Sequence, residues 1–348
     1  TKEAQAKVLT SLPFENTEDF NLAKRGLIAR PDPLIIKSDN GEIIWDMSGL
    51  DYLNGPRPDT VNPSLWRQAQ LNAIYGLFQV TDRIYQIRGF DLANMTLIEG
   101  DTGWIIVDPL TATETVRAAM EVVDRHFGKR PIKAILSTHS HVDHFGGIRA
   151  LANEEDLASG KIRFVAPAGF VEEAASENVI AGNAMGRRAT YMFGNLLPPT
   201  VQGNIDSGLG KGVAFGTISL LTPTDVITAT GQKLVLDGVT FEFQNVPGAE
   251  APAEFIFYLP EFKALCLAEE VNAVMHNLYT PRGAKTRDAL IWSRHLTDTL
   301  ELFGDRMDLA FGSHHWPRWG RKEAYEYISK QRDMYRFMHD QTVRLMNS

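Results

Sequence analysis

Three of the nine histidines in this 348-residue chain lie within six positions, in the segment THSHVDHFGG. Neutral imidazole is the commonest metal ligand among side chains, and carboxylates often share zinc sites with it. Alternate residues of an extended segment point to the same side, so His139 and His141 can bind one metal ion. Asp143 and His144 follow on a turn and can reach a second ion. The loop therefore predicts two metal ions about 3.5–4 Å apart, which require further ligands.

A further ligand from the region between His144 and His276 must be a carboxylate, because that region contains no histidine. Glu250 is the best candidate, since it follows an apolar strand in NVPGAEAPAE. Glu269 in CLAEE also follows a strand and could bridge the two ions. Two neighbouring glutamates remain alternatives to them: Glu254 and Glu270.

The last ligand of the second ion is predicted to be His314, at the end of the strand-like segment MDLAFGSH. The adjacent His315 is its alternative. Asp108 follows the apolar run GWIIV, where it could orient a metal ligand by a hydrogen bond or simply cap the strand. The other histidines outside the loop fall in helical patterns and are predicted at the surface: His126, His295 and His339.

Strand-like and helical segments alternate around the histidine loop. Short strands are predicted at RIYQI, NMTLIEG and GWIIVDP, then a helix at TETVRAAMEVVDRHFG. The apolar strand IKAILST runs directly into the loop, and GGIRALANEEDL after it is predicted to be helical. The loop therefore lies between the end of a strand and the start of a helix, where α/β proteins usually bind ligands.

Strand-like and helical segments also alternate in the second half of the chain, whereas the first 75 residues lack this pattern. Strands are predicted at TFEFQNVPG and in FIFYLPEFKALCLAEE, where a hairpin turns at residues 260–262. Helices are predicted at TRDALIWSRHLTDTLELFG and from about Arg321 to the end. The proline-spotted residues 1–75 predict an irregular arm around the core, with a short helix near LWRQAQLNAIYGL.

Composition excludes several classes of protein. Apolar residues make up 44% of the chain and charged residues 22%, as in ordinary globular domains. A net charge of -8 argues against a nucleic-acid partner, because phosphate binding needs a basic surface. The single cysteine, Cys266, excludes an internal disulfide and a cysteine-rich zinc site. No apolar run has the length of a transmembrane helix.

The motif H-x-H-x-D-H after a strand resembles the metallo-β-lactamase superfamily. Within it, the sequence is most similar to the alkylsulfatases that hydrolyse alkyl sulfates such as dodecyl sulfate. The resemblance implies an αββα sandwich with a binuclear metal site at one edge of the sheets. It rests on six stretches of this sequence: IRGFDLANMTLIEG, STHSHVDHFGG, ENVIAGNAMGRRATYMFGNLLP, GAEAPAE, LAEEVNAVMHNLYTPRGA and SHHWPRWG.

The resemblance also implies a ligand set for two Zn²⁺ ions per chain. One zinc ion is assigned to His139, His141 and Glu250. The second is assigned to Asp143, His144 and His314, and Glu269 bridges the two.

A sulfate-binding set is implied around MHNLYTPRGAKTRD, where Arg282 and Arg287 are the candidates because a guanidinium suits a tetrahedral oxyanion. Asn183 and Tyr191 are expected to line the same pocket, and His276 to protonate the leaving group. The predicted catalytic residues are therefore Asp143, His276, Arg282 and Arg287.

The resemblance predicts zinc-dependent hydrolysis of an alkyl sulfate to an alcohol and inorganic sulfate by a metal-activated water. The alternatives are another hydrolase of the fold, such as a thioesterase, lactonase or β-lactamase, and a catalytically idle metal-binding or lipid-binding module. The predicted division is an N-terminal arm (1–75), a catalytic domain (76–318) and the start of a helical dimerisation region (319–348).

Three expectations concern the whole protein. The resemblance implies a homodimer, and a C-terminal lipid-binding domain that is absent from this sequence. A surfactant substrate, together with a first residue Thr1 in place of Met, predicts a periplasmic or secreted enzyme, with a cytoplasmic one as the alternative.

Overall fold

A computed structural model describes all residues from 1 to 348. Two β-sheets, one of eight strands and one of six, pack face to face through a shared apolar core. Helices cover the outer face of each sheet. The predicted αββα sandwich is therefore confirmed.

The N-terminal segment contains more regular structure than the irregular arm that the sequence predicts. Its first strand pairs with the edge of the eight-stranded sheet, so the segment extends that sheet. The helix expected near residues 65–77 begins earlier, because Pro63 opens it and Asn62 accepts a hydrogen bond from the Ser64 amide. In chain order the elements are α1 (Lys2–Ser11), α2 (Glu18–Lys24), β1 (Leu27–Ala29), β2 (Ile35–Lys37), β3 (Ile43–Asp46) and α3 (Pro63–Asn72).

The eight-stranded sheet has the order β1-β4-β5-β6-β7-β8-β9-β10. Its strands are antiparallel up to β7 and parallel from β7 to β10. The helix α4 (Thr113–Phe127) connects β7 to β8 and packs Val116, Ala119 and Val123 on the outer face. The remaining strands are β4 (Gly76–Thr81), β5 (Ile84–Arg88), β6 (Met95–Glu99), β7 (Trp104–Val107), β8 (Ile132–Leu136), β9 (Arg163–Pro167) and β10 (Asp225–Ile227).

The prediction of one helix over GGIRALANEEDL is wrong. The structure has a 3₁₀ turn at Ile148–Ala150 and a separate short helix, α5 (Glu154–Ala158). The break occurs because Asn153 and Asp156 form a capping box, which satisfies the free amides of a new helix start. Farther on, three connected helical elements lie between β9 and β10: α6 (Phe170–Ala175), a π-helical turn (Ser176–Ile180) and α7 (Gly182–Phe193).

The six-stranded sheet has the order β11-β12-β13-β14-β15-β16. The hairpin predicted at residues 260–262 joins β13 to β14. Two helices cover this sheet, and no helix combines the length and the apolar character needed to cross a membrane. The elements are β11 (Lys233–Leu236), β12 (Val239–Asn245), β13 (Phe255–Leu259), β14 (Ala264–Cys266), α8 (Ala289–Phe303), β15 (Leu309–Phe311), β16 (Arg318–Trp319) and α9 (Arg321–Met346).

One edge of the sandwich gathers the segments that carry the predicted ligands. The histidine loop follows β8 of the first sheet, and the segments after β12, β14 and β15 belong to the second. The two sheets are joined at this edge by an isolated bridge between His139 and Glu254. The Phe255 amide donates to the Thr138 carbonyl at 2.9 Å, and the Ser140 amide to the Ala253 carbonyl at 3.2 Å. The backbone therefore fixes the loop against the second sheet.

Candidate metal centre and substrate cavity

The histidine loop is buried where the two sheets meet. His139 and His144 are fully buried, and His141 is 7% exposed. A 3₁₀ turn at Val142–His144 reverses the chain directly after the extended residues 139–141. The turn brings Asp143 and His144 back beside His139, whose ring lies 3.9 Å from that of His144.

The first candidate metal group contains ligand atoms that lie within 4.8 Å of one another. The Glu250 Oε2 atom is 3.0 Å from His141 Nδ1 and 3.5 Å from His139 Nε2. The members of this first group are His139, His141, Glu250 and Glu269.

The second candidate group shares Glu269 with the first. The Glu269 Oε2 atom is 3.2 Å from the Nε2 atoms of His139, His144 and His314. One carboxylate therefore reaches both groups, as a bridging ligand must. The members of the second group are Asp143, His144, Glu269 and His314.

Hydrogen bonds at the far side of each ring fix which histidine nitrogen faces the cluster. Asp108 Oδ2 lies 3.0 Å from His144 Nδ1 and also accepts the Thr138 hydroxyl hydrogen. Since Thr138 donates to Asp108, it accepts from His139 Nδ1 at 2.9 Å. His314 Nδ1 lies 3.2 Å from the Leu92 carbonyl.

With every Nδ1 hydrogen engaged, the Nε2 lone pairs of these three rings point into the cluster. The same Nε2 atoms and Glu250 Oε2 are buried and have no hydrogen-bond partner in the protein. Lone pairs that converge without donors are what a metal ion requires. The residues therefore fit a pair of metal ions.

The cluster also concentrates negative charge. Burial opposes ionisation of Asp143 and Glu269, but the neighbouring histidines outweigh it and lower the pKa of both carboxyl groups. Burial and Glu269 oppose ionisation of Glu250, yet His141 and Arg287 hold its pKa well below the usual range. Three carboxylates are thus ionised together in a buried site, where bound cations would offset their charge.

The alternative carboxylates lie behind the cluster. Glu254 accepts hydrogen bonds from the amides of Ala251 at 3.1 Å and of Glu269 at 3.3 Å. Glu270 accepts from the Glu250 amide at 3.3 Å. Burial, with other carboxylates nearby, raises the pKa of Glu254 well above its usual range and that of Glu270 to about 8. Glu254 therefore binds the backbone of Glu269, and Glu270 binds the backbone of Glu250.

His315 lies outside both groups because both of its ring nitrogens are engaged elsewhere. Nδ1 accepts from the Ala273 amide at 3.1 Å, so Nε2 donates to the Gly208 carbonyl at 3.0 Å. Burial lowers the pKa of the ring to about 4. The structure thus separates the two adjacent histidines, with His314 facing the cluster.

A cavity of about 710 Å³ opens from the cluster. Its lining includes the metal-group residues His141, Asp143, Glu250 and Glu269. The lining also includes apolar residues, of which Phe215 and Ile218 are 69% and 52% exposed. The cavity therefore combines an anionic cluster that could bind metal with apolar surface. Its main apolar residues are Met185, Phe193, Leu209, Phe215, Ile218 and Met275.

The two predicted sulfate-binding arginines both line the cavity but have different partners. Arg287 donates to the Glu250 carbonyl and carboxylate, both at 2.6 Å, and to Thr280 and Asn277. These contacts use Nε, both Nη1 hydrogens and one Nη2 hydrogen. One Nη2 hydrogen stays free, so the role of Arg287 in sulfate binding remains a prediction beside its contacts with Glu250. Arg282 makes one side-chain hydrogen bond, to Glu177 at 3.2 Å.

Of the two pocket residues predicted on α7, one lines the cavity and the other does not. Asn183 lines the cavity, as do Gly186, Thr190 and Phe193 on the same helix face. Tyr191 is 91% exposed and does not line the cavity, so its predicted place in the pocket is wrong. At about 100° per residue, position 191 falls on the opposite side of the helix from this face.

His276 lies in the cavity wall against both carboxylates of the first group. Its Nε2 atom is 3.1 Å from Glu269 Oε1 and 3.4 Å from Glu250 Oε1. Its Nδ1 atom lies 2.9 Å from the Asn277 carbonyl, which fixes the ring. The Nε2 atom therefore lies beside the candidate metal ligands in the cavity wall.

The sequence pattern of the metallo-β-lactamase superfamily matches residues 88–235, which include the histidine loop and the parallel part of the first sheet. The chain therefore has the metallo-β-lactamase fold. The αββα sandwich and the candidate metal ligands at its edge agree with the match.

The named relatives are alkylsulfatases. A linear primary-alkylsulfatase from Pseudomonas sp is 49% identical over all of this chain, which covers 52% of that protein. An (R)-specific secondary-alkylsulfatase from Pseudomonas sp is 47% identical over all of this chain, again covering 52%. The solved structure of a stereoselective inverting sec-alkylsulfatase from Pseudomonas sp. is 46% identical, with a TM-score of 0.96 over 99% of this chain and 55% of that one. The resemblance to alkylsulfatases is confirmed, and the chain spans about half the length of these relatives.

Two features of the site lie outside the predictions from the sequence. Glu254 and Glu270 are predicted only as alternative ligands, although AEAPAE and AEE each contain two glutamates, one of which can bind metal while the other binds backbone. Glu177, which pairs with Arg282 and lies 4.0 Å from His141, is not among the predicted residues. Its position depends on the π-helical turn after α6, for which the sequence gives no signal.

Proposed function

We propose that the protein hydrolyses alkyl sulfate esters, such as dodecyl sulfate, to an alcohol and inorganic sulfate with two zinc ions. The observation that carries the proposal is the cavity that joins the metal cluster and Arg282 to an apolar wall. An alkyl sulfate has an anionic head and an apolar tail, so it matches both parts. The alkylsulfatase relatives support this substrate class over a thioester, a lactone or a β-lactam.

The two ligand groups supply nitrogen and carboxylate donors that suit zinc. Bound zinc provides Lewis-acid chemistry, which acidifies water to near-neutral pKa and offsets negative charge on the substrate. Glu269 holds the two positions at a fixed separation by reaching both. The proposed ligands are His139, His141 and Glu250 for one ion, Asp143, His144 and His314 for the other, and Glu269 for both.

Arg282 is the proposed anchor of the sulfate group. A guanidinium donates two parallel hydrogen bonds to an oxyanion and offsets charge that develops during hydrolysis. Asn183 lies in the same cavity wall and adds amide donors. Glu177 holds Arg282 toward the cavity through the 3.2 Å ion pair.

His276 is the proposed proton donor to the group that leaves. Water supplies the oxygen that enters, and the ester breaks at its C–O bond or its S–O bond, so that sulfate or the alkoxide departs and takes up one proton. His276 lines the cavity, and its Nε2 atom lies 3.1 Å from Glu269 Oε1. The products are the alcohol, inorganic sulfate and the proton released from water.

The apolar wall is the proposed site for the alkyl chain. Met185, Phe193, Ile218 and Met275 all line the cavity. Each methylene removed from water stabilises the complex by about 0.8 kcal/mol. Chain length should therefore affect KM more than kcat.

The wider expectations remain proposals for the whole protein. They are a homodimer, a C-terminal lipid-binding domain, and a periplasmic or secreted location. The same holds for the division into an arm (1–75), a catalytic domain (76–318) and the start of a helical dimerisation region (319–348).

The proposal is tested by metal content and sulfate release from dodecyl sulfate, measured on the full-length protein that contains this chain. We expect two zinc ions per chain and turnover that a chelator abolishes. Glu250→Ala should lower the metal content and reduce turnover by more than the ~10–100-fold typical of losing a supporting residue.

The matched control is Glu155→Ala, since Glu155 is exposed and does not line the cavity. It should keep wild-type metal content and turnover. Two bound metal ions without sulfate release would reject the substrate class and keep the metal centre. Unchanged metal content in Glu250→Ala would reject the ligand assignment.

A further inference from the structure

Arg88, the last residue of β5, is a buried cation without a protein partner. Its side chain is 5% exposed and makes no hydrogen bond or ion pair. The Nε and Nη2 atoms are fully buried and lack an acceptor. One face of the guanidinium lies 3.5 Å from the centre of the Phe78 ring, so only its edge can bind a further group. Burying charged donors without an acceptor costs several kcal/mol in general.

Two acidic groups nearby are held by other donors. Asp91, which lines the same pocket as Arg88, accepts hydrogen bonds from the hydroxyls of Thr111 and Thr115, and from three backbone amides. Asp206 pairs with Lys211 at 3.1 Å. Neither carboxylate forms an ion pair with Arg88. Burial lowers its pKa only to about 9, so it remains charged at neutral pH.

A second orphaned donor faces the same space. Trp316 is 5% exposed, and its indole Nε1 has no acceptor in the protein. Arg88 and Trp316 both line a small pocket of about 30 Å³, which lies beside the substrate cavity and shares Leu92 and Leu209 with it. A water molecule needs roughly 10–15 Å³ of such space. The pocket therefore has room for one monatomic anion with a water molecule, and is too small for an organic ligand.

We propose that this pocket binds a chloride ion between the guanidinium of Arg88 and the indole N–H of Trp316. Chloride accepts hydrogen bonds from several donors at once. Its negative charge would also balance the positive charge of Arg88. The site lies where four parts of the chain meet: Trp45 and Leu71 from the N-terminal segment, Leu92 from the loop after β5, residues 209–211 before β10, and Trp316. Bound chloride would fasten these parts together.

The pocket also adjoins the metal centre through the backbone. Leu92 lines it, and the carbonyl of Leu92 holds the Nδ1 atom of His314. Trp316 lies two residues after His314. The inference does not rest on the proposed sulfatase activity, because Arg88 and Trp316 lie outside the substrate cavity.

The direct test is a crystal of the full-length protein grown in sodium bromide. We expect an anomalous bromine peak within hydrogen-bonding distance of Arg88 and Trp316 Nε1. A water molecule or a protein carboxylate at that position, with no anomalous signal, would overturn the proposal.

The solution test follows thermal unfolding while chloride is raised from 1 to 300 mM. A ligand that binds only the folded state raises Tm in a saturable manner, here by about 2 °C. Arg88→Met should lose this rise. Arg25→Met is the matched control, because Arg25 is exposed and also lies over an aromatic ring, 4.2 Å from the centre of Trp319.

Arg25→Met should keep the wild-type rise and so separate specific binding from general ionic strength. An equal rise in all three proteins would reject the site. If Arg88→Met does not fold, the bromide experiment on the wild-type protein still decides the question.

Discussion

Two arginines of the same loop have different tasks because their neighbours differ. Arg287 is buried against Glu250 and gives two of its donors to that ligand. Arg282 has one ion-pair partner, Glu177, and faces the cavity. Removing either should reduce turnover, but for separate reasons.

Arg282→Met should raise KM for dodecyl sulfate about tenfold or more and leave bound zinc unchanged, because a charged hydrogen bond contributes about 1.5–3 kcal/mol. Arg287→Met should lower the zinc content, because Glu250 loses the donor that orients it. KM and zinc content are measured for both variants, so each variant is the control for the other. Equal zinc loss in both would contradict the distinction.

His295, which lies outside the metal centre, should contribute to the pH dependence of the free energy of unfolding. Burial lowers the pKa of His295 in the folded protein, although the Pro247 carbonyl partly opposes this. Below the unfolded pKa of about 6.5, the unfolded chain therefore takes up this proton more readily. The contribution is present above about pH 6.5 and is lost as the pH falls.

His295→Gln should therefore flatten the fall of Tm between pH 7 and pH 5. Above pH 7.5 the Tm difference between variant and wild type should stay constant, which provides the internal control. Parallel Tm curves over the whole range would contradict this role.

At the scale of elements, α9 packs on α8 and belongs to the folded unit. The rings of Trp292 on α8 and Tyr335 on α9 stack 4.1 Å apart, and both are fully buried. Ala324 and Ile328 of α9 join the same core. The indole of Trp292 also donates to the Glu270 carbonyl at 2.9 Å. The helix pair thus supports the segment that carries Glu269.

Tyr335→Ala should lower the free energy of unfolding by about 3–5 kcal/mol, the usual cost of removing a buried aromatic ring. Phe337→Ala, two residues away and 65% exposed, should change it by less than about 0.5 kcal/mol. Denaturant unfolding of both variants gives the comparison. Equal small effects would indicate that α9 is not docked in solution.

At the scale of the whole molecule, the candidate ligands come from both sheets. The loop after β8 supplies four of them, and Glu250, Glu269 and His314 follow strands of the second sheet. Bound metal ions would therefore cross-link the sandwich and also offset the three buried carboxylates.

Removal of metal by a chelator should lower Tm of the full-length protein by about 5 °C or more, because binding to the folded state alone adds to stability. Added zinc should restore the wild-type value. Glu250→Ala should show a smaller drop, since it starts with less bound metal. An unchanged Tm after complete metal removal would show that the ions do not stabilise the fold.

The regular elements were predictable where local pattern decides them. Apolar runs gave β8, β12 and β13, and the spacing of α4 and α8 gave helices with bounds close to those observed. The segment 146–157 was not predictable, because its capping box competes with helical periodicity. The order of strands across two sheets depends on contacts between distant residues.

The sequence by itself determined the chemistry of the loop, because residue type and spacing within six positions decide which side chains can share a metal ion. Only the tertiary structure decided between Glu250 and Glu254, Glu269 and Glu270, or His314 and His315. These neighbours have the same chemistry, and what separates them is the direction in which each strand end turns. The same holds for Tyr191, whose side of α7 is set by how that helix lies over the cavity.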